Sequence, residues 1–215
     1  MNAGAEAALA ALRSDIERYY SGKLERHGPT PEGVDWTCAP TQQLRFVQLL
    51  RVCDFAGPFS LNDLGCGWGA LLGFLRARHR RARVDYCGID VSPTMIEAAR
   101  RIVSGRRSAD FQVGHGCPRV ADYSLASGLF NVRIDHPLAL WEEFIAQTLA
   151  DLAAHSRLGF AANFLKVLPE GIAGKPELYR TSADRWAAHC ERVLGGEVQV
   201  LDAYGMREFT LLVRA

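Results

Sequence analysis

The chain has 215 residues, enough for one domain with a buried core, and its 25 Lys and Arg nearly cancel its 24 Asp and Glu. A formal net charge of +1 gives no global field that would draw in a nucleic acid or an anionic membrane, which argues against both as partners. No apolar run approaches the roughly 20 residues that a membrane-spanning helix needs.

The opening MNAGAEAALAALRSDIERYY carries Glu6, Asp15 and Glu17 and has no basic segment ahead of an apolar core, so it reads as a helix and not as a secretion signal. The amphipathic spacing of Leu9, Leu12, Ile16 and Tyr19 or Tyr20 predicts this helix over residues 4–20. A turn-rich stretch, HGPTPEGVDW, follows. A second helix is predicted over residues 41–54, with Leu44, Phe46, Val47, Leu50 and Val52 as its apolar face.

From Pro58 onward strand and helix signals alternate. FSLNDL (59–64) is a strand ending in a glycine turn, and residues 70–80 are helical. A second strand follows at 83–90. Ser92 and Pro93 open a helix over 92–103 as N-cap and first helical residue. Residues 109–114 and 121–130 give the third and fourth strands, with little room for a helix between them. A long helix (138–155), a fifth strand (157–165) and a helix capped by Ser182 (182–195) come next. Residues 197–204 and 207–215 stand a short turn apart and predict an antiparallel pair.

The expected architecture is therefore α/β: a doubly wound, mostly parallel seven-stranded sheet with helices on both faces, an antiparallel closing strand and an N-terminal helical cap. Residues 1–56 form the cap or lid and residues 57–215 the ligand-binding domain. The six cysteines, Cys38, Cys53, Cys66, Cys87, Cys117 and Cys190, show no CxxC pair and no zinc-site spacing. They read as separate thiols of a reducing compartment, so a cytoplasmic protein without a metal is expected.

The strongest local signal is Asp63-Leu64-Gly65-Cys66-Gly67-Trp68-Gly69, set where a buried strand turns into a helix. Glycines there let the backbone approach a ligand closely and take up positive φ. The spacing is GxGxG, which lacks the third glycine position of a dinucleotide fingerprint. An acid before the turn suits a ligand with an ammonium group and repels a pyrophosphate. Asp90 lies 21 positions beyond Gly69, at the end of the next strand, where a carboxylate can accept hydrogen bonds from both hydroxyls of a ribose. Two acids converging on one crevice favour a nucleoside-bearing ligand over a plain structural turn.

On these residues the chain, from about Pro58 to its end, resembles the class I S-adenosylmethionine-dependent methyltransferases. DLGCGWG is similar to their first motif, GIDVSPTMI to their second, and the final EVQVLDAYGMREFTLLVRA to their closing hairpin. The segment from Tyr19 to Phe46 resembles a bacterial subgroup of small members with largely unassigned substrates. The resemblance implies S-adenosylmethionine as cofactor, with Asp63, Gly65, Cys66, Gly67, Trp68, Gly69, Asp90, Val91, Met95, Gly114, His115 and Ser127 around it. Many relatives place an acid after the third strand for the adenine amino group. This chain has Gly114-His115, which leaves that work to His115, to a backbone carbonyl or to packing. An NPPY-type motif, carried by relatives that methylate nucleobase or glutamine amides, is replaced by Ser127-Gly128-Leu129-Phe130-Asn131. A small-molecule acceptor is the expectation.

Methyl transfer from a sulfonium is an in-line displacement that needs positioning, and a base if the nucleophile carries a proton. His27, Tyr20 and Asn131 are the candidates for catalysis, each with an ordinary alternative as a surface, packing or strand-end residue. Tyr19, Trp36, Gln42 and Asn163 are candidate substrate contacts, and Tyr179 joins them by resemblance alone. A nicotinamide-dependent oxidoreductase and a non-catalytic nucleoside-binding module are the competing readings. Acceptor identity and oligomeric state stay open.

Overall fold

The computed structural model describes residues 3–103 and 109–214. A long helix α1 (Ala3–His27) leads through a 3-10 turn (Glu32–Val34) into α2 (Ala39–Leu49) and a second 3-10 turn (Leu50–Val52). Then come β1 (Phe59–Leu64), α3 (Ala70–Arg78), β2 (Val84–Asp90), α4 (Pro93–Val103), β3 (Ala109–Val113) and β4 (Ala121–Ala126). The remainder is α5 (Leu138–Ala154), β5 (Ser156–Lys166), β6 (Arg180–Thr181), α6 (Ala183–His189), a π-helical turn (Cys190–Leu194), β7 (Glu197–Leu201) and β8 (Glu208–Arg214).

The sheet runs β3-β2-β1-β4-β5-β8-β7, with the two-residue β6 paired beside the end of β5. All pairs from β3 to β5 are parallel, and β8 runs antiparallel to both neighbours. β1 and β4 are buried along almost their whole length, as parallel strands covered on both faces must be. One apolar layer joins Leu9, Leu12 and Ile16 of α1 to Trp141, Ile145 and Leu149 of α5 and Trp186 of α6. The opposite layer joins Phe46 and Leu49 of α2, Leu71 and Leu75 of α3 and Ile96 and Ala99 of α4. The strand order reverses between β1 and β4, so the crevice of the fold opens at the carboxyl ends of these two strands.

Several boundaries differ from the sequence expectation, each for a local reason. α1 continues through Gly22 to His27, since nothing stops it until Gly28 takes φ 67°. α2 starts at Ala39, two residues before the expected point, because Pro40 is suited to the first helical turn. β4 ends at Ala126: Gly128, at φ 73°, turns the chain away although Leu129 and Phe130 beyond it are apolar. Ser92 caps α4 as expected, its Oγ accepting from Met95 N–H at 3.1 Å. Ser182 occupies the N-cap position of α6, but its hydroxyl makes no capping bond. α6 itself closes at His189 and passes into the π-helical turn. The eighth strand, β6, is too short to carry any periodicity.

Candidate active site

At the switch point lies a cavity of about 560 Å³, walled by the glycine turn, the ends of β2 and β4, and the N-terminal segment. Gly65, Gly67 and Gly69 all hold positive φ, at 75°, 54° and 85°. The turn is fixed from behind, since the N–H groups of Gly65 and Cys66 both donate to the carbonyl of Ile89 at 2.7 and 3.0 Å. A Cβ at Gly65 would stand 2.9 Å from Leu129 Cδ1, and one at Gly67 would stand 3.1 Å from Val34 Cγ1. The turn is thus sandwiched between the loop after β4 and the N-terminal segment.

Asp90 ties the two halves of the site together. One carboxylate oxygen accepts from Gly67 N–H at 2.8 Å and the other from Ser92 N–H at 2.9 Å. Each oxygen keeps a second lone-pair direction for a ligand. Asp63 is buried at the end of β1, where one oxygen accepts from Tyr86 Oη at 2.5 Å and the other has no partner among the described residues. Burial pushes the Asp63 carboxyl up to about 7, opposed by the Tyr86 hydrogen bond and helped by the charge of Asp90. Burial likewise raises Asp90 to about 6, against the two backbone hydrogen bonds. Two carboxyls poised near neutrality around one cavity are the electrostatic mark of a site that receives a positive charge.

The N-terminal segment roofs this cavity. Ser21 Oγ shares a hydrogen bond with Ser92 Oγ at 2.8 Å, and Trp68 Nε1–H donates to the carbonyl of Thr30 at 3.1 Å. Leu24 packs with Met95 and Ala98 of α4. Asp35, left-handed at φ 59°, accepts from Tyr19 Oη and from Lys23 Nζ, both at 2.7 Å. Hydrogen bonds from Lys23 and Tyr19 outweigh its partial burial and hold its carboxyl below the usual range. A non-glycine residue with this strain, fixed at the mouth of a cavity, marks a turn whose shape is imposed by its surroundings.

Behind the roof sits a group that the sequence did not single out. Arg45 and Glu208 form a buried pair, with Arg45 Nε–H and Nη2–H donating to the two Glu208 oxygens at 3.0 and 2.5 Å. The Trp36 ring stacks on the guanidinium, 3.7 Å from its carbon. Nη1 has no protein partner among the described residues and points at Gly128, where a Cβ would lie only 2.5 Å from it. A glycine at 128 is therefore required by the arginine, and not only by its φ of 73°.

Of the residues expected at a ligand, Asp63, Gly65, Cys66, Gly67, Asp90, Val91, Met95, Gly114, His115 and Ser127 line the cavity. Tyr20, His27, Trp36, Gln42 and Asn131 line it as well. Asn131 is buried, and its Oδ1 has no partner among the described residues. Five others do not line it. Trp68 is engaged with Thr30, and Gly69 packs on Phe111 and Ala99 behind the turn. Tyr19 donates to Asp35, which lines the cavity in its place. Asn163 accepts from Gly128 N–H at 2.7 Å and donates to Glu208 at 3.2 Å, so its buried amide is spent on the scaffold. Tyr179 donates to Glu142 and accepts from Trp186 Nε1–H, both at 3.1 Å.

Comparison with known proteins agrees with this geometry. Residues 62–151 match the family model described as a methyltransferase domain. A Mycobacterium tuberculosis protein named "Putative methyltransferase Rv1506c" is 44% identical over 165 residues, which cover 77% of this chain and 98% of that one. Magnesium protoporphyrin IX methyltransferase from Synechocystis PCC 6803, solved with SAH bound, superposes with a TM-score of 0.61 at 13% identity over 96% of this chain and 99% of that one. Human N-acetylserotonin methyltransferase, solved with SAM, gives a TM-score of 0.57 at 17% identity over 79% of this chain, which spans 51% of the human protein. At such identities these two structures speak for the fold.

Proposed function

The chain belongs to the class I S-adenosylmethionine-dependent methyltransferases, and on that premise we propose that it methylates a small-molecule acceptor bound in the 560 Å³ cavity under the N-terminal segment. The observation that carries the reading is the glycine turn held between Asp63 and Asp90 on a single cavity wall.

The residues present fit the cofactor. The unpartnered oxygen of Asp63 offers an acceptor to an ammonium group, and the open lone pairs of Asp90 offer acceptors to ribose hydroxyls. Val91 and Met95 supply apolar contact beside the ribose, and Gly114 and His115 the far edge for adenine. Arg45 Nη1, fixed by Glu208 and Trp36, is placed for the carboxylate of the methionine part. Gly69 supports the site from behind the turn, and Trp68 ties the turn to the roof through Thr30. When bound, S-adenosylmethionine supplies a methyl group activated by its sulfonium charge. The chain's own work is to fix that group, exclude water and present the acceptor in line.

Asn131 is the residue we assign to the acceptor. Its backbone is pinned on both sides, N–H to Gly128 at 3.3 Å and carbonyl to Tyr179 N–H at 2.9 Å, and its idle Oδ1 accepts a proton-bearing nucleophile. His27 and Tyr20, both on the wall, are the groups available to receive a proton. Burial raises the Tyr20 hydroxyl above its ordinary range, so His27 is the better base of the two. Trp36 and Gln42 shape the acceptor end, with Tyr19, Asn163 and Tyr179 acting through the residues they hold. The six free thiols support a reducing compartment, and with it the cytoplasm. No described helix is long and apolar enough to cross a membrane.

Replacing Asp90 by Ala is expected to weaken S-adenosylmethionine binding by about 1.5 to 3 kcal/mol, because a charged acceptor is lost and Gly67 N–H is released from its anchor. Isothermal calorimetry reads this directly, and unchanged affinity would remove Asp90 from the site. The raised carboxyls give a pH dependence of known sign. Protonation removes the negative charge that a cationic ligand needs, so affinity should fall as pH drops through about 7 for Asp63 and about 6 for Asp90. Calorimetry with S-adenosylhomocysteine across that window should show the loss, and in the Asp63→Asn variant the upper part of it should vanish.

We place residues 1–56 as a cap on the methyltransferase domain. The ties from Ser21 and Leu24 to α4 make α1 a fixed wall, and the turn around Asp35, which hangs from that wall through Tyr19 and Lys23, is the segment left to tighten when a ligand fills the cavity. Hydrogen exchange should show α1 protected with or without S-adenosylhomocysteine, while protection of residues 30–37 rises on binding. Equal protection of both segments in the free protein would leave no lid.

A further inference from the structure

At the end of the sheet opposite the cavity, a second groove of about 620 Å³ lies against the starts of β1 and β2. Its base is apolar, formed by Pro58, Phe59, Leu72 and Leu75, and its wall carries Arg80 and Arg83. The end of α3 and its connection to β2 form the most basic stretch of the chain: Arg78, Arg80, Arg81 and Arg83 are all exposed within six positions. None of these four side chains has a hydrogen-bond or ion-pair partner among the described residues.

Two carboxylates reach the same groove, and both are spent. Asp85 accepts from Arg119 at 2.7 Å. Asp122 accepts from Ser60 at 2.8 Å and from Arg157 at 2.9 Å. Arg80 and Arg83 are thus left uncompensated among the described residues while the acids beside them are committed elsewhere. On a chain with a net charge of only +1, this is a local charge and not a consequence of composition. His79, another wall residue, stacks on Phe55 with ring centroids 4.2 Å apart, which sets a rigid aromatic edge next to the charge.

We propose that this groove is a docking surface for an acidic segment of a partner protein, one that sets an apolar side chain on the base and carboxylates against the α3–β2 arginines. Charge complementarity identifies the class of partner. All four arginines are exposed, so the groove has no enclosed pocket that would desolvate a single small anion. Several carboxylates on one chain engage several arginines at once, and the apolar base rewards a side chain that a polyphosphate backbone lacks.

The test uses a fluorescein-labelled peptide of alternating Glu and Leu, its Gln-for-Glu counterpart, and single-stranded polyuridylate of similar length, each titrated with the full chain and read by anisotropy. The Glu-Leu peptide should bind saturably, and the Gln-Leu peptide and polyuridylate more weakly. In the Arg80→Gln/Arg83→Gln variant the affinity for the Glu-Leu peptide should fall by about tenfold, as should that of the wild type on going from about 50 to about 300 mM salt. The variant should keep its affinity for S-adenosylhomocysteine, since the groove and the cavity lie at opposite ends of the strands, and this serves as the check on folding. Single Arg80→Gln and Arg83→Gln variants replace it if that check fails. No saturable binding of the Glu-Leu peptide, equal binding by the charge-neutral variant, or tighter binding of polyuridylate would overturn the proposal.

Discussion

Replacing Gly67 by Val should abolish cofactor binding while leaving an α/β circular dichroism spectrum. Three effects act together at this position. The backbone sits at φ 54°, where a residue with a side chain is strained by about 1 to 2 kcal/mol and a β-branched one by more. A Cβ alone would come within 3.1 Å of Val34 Cγ1 and 3.9 Å of Met95 Sδ, and the two further methyl groups of valine must crowd these neighbours or enter the cavity that Gly67 lines. They must either push the roof off the turn or displace the turn into the cavity. Either movement breaks the 2.8 Å bond from Gly67 N–H to Asp90, which sets the orientation of the carboxylate facing the ligand. Gly67→Ala, with the strain but one carbon only, should give an intermediate loss. Calorimetry with S-adenosylhomocysteine separates the cases, and near-normal binding by Gly67→Val would mean that the turn is structural alone.

What was legible in the sequence followed from local chemistry. The glycine turn, the acid at the end of β2 and the run of alternating strands and helices depend on residues within a few positions of each other. They stand where the sequence puts them. Short-range signals failed where the chain ignores its own pattern. Residues 127–130 read as strand because Leu129 and Phe130 continue its apolar character, yet the Ser127-Gly128 pair turns the chain out of the sheet, so that Leu129 flanks the glycine turn. β6 exists only because its two residues reach the end of β5. Asn163 was recognisable as a buried amide that needs partners, but its partners, Gly128 and Glu208, are 35 and 45 positions away. Arg45 reads as one polar residue on an amphipathic helix. Its role depends on Glu208, 163 positions later in a strand that looks like an ordinary edge hairpin. No periodicity or spacing rule links two such positions, whereas the buried ion pair, once folded, is unmistakable.

That pair allows scaffold and ligand binding to be separated by experiment. Arg45→Met leaves the Glu208 carboxylate buried without its cation, and Glu208→Leu leaves the guanidinium without its anion. Each single change should cost about 3 to 5 kcal/mol of stability, because an uncompensated buried charge is worse than no charge at all. The double variant removes both charges and fills the same space with apolar atoms, so most of that loss should be recovered and the coupling in a double-mutant cycle should be large. Urea denaturation at one temperature supplies all four corners of the cycle. Cofactor affinity should behave differently. The double variant folds but has no Nη1 beside Gly128, and its Trp36 ring has lost the cation it stacks on. Binding of S-adenosylhomocysteine should stay weakened by about 1.5 to 3 kcal/mol in the restored double variant, the worth of a charge-assisted hydrogen bond to a carboxylate. Recovery of affinity together with stability would assign Arg45 to the scaffold alone. Recovery of stability without affinity would place its free nitrogen on the ligand.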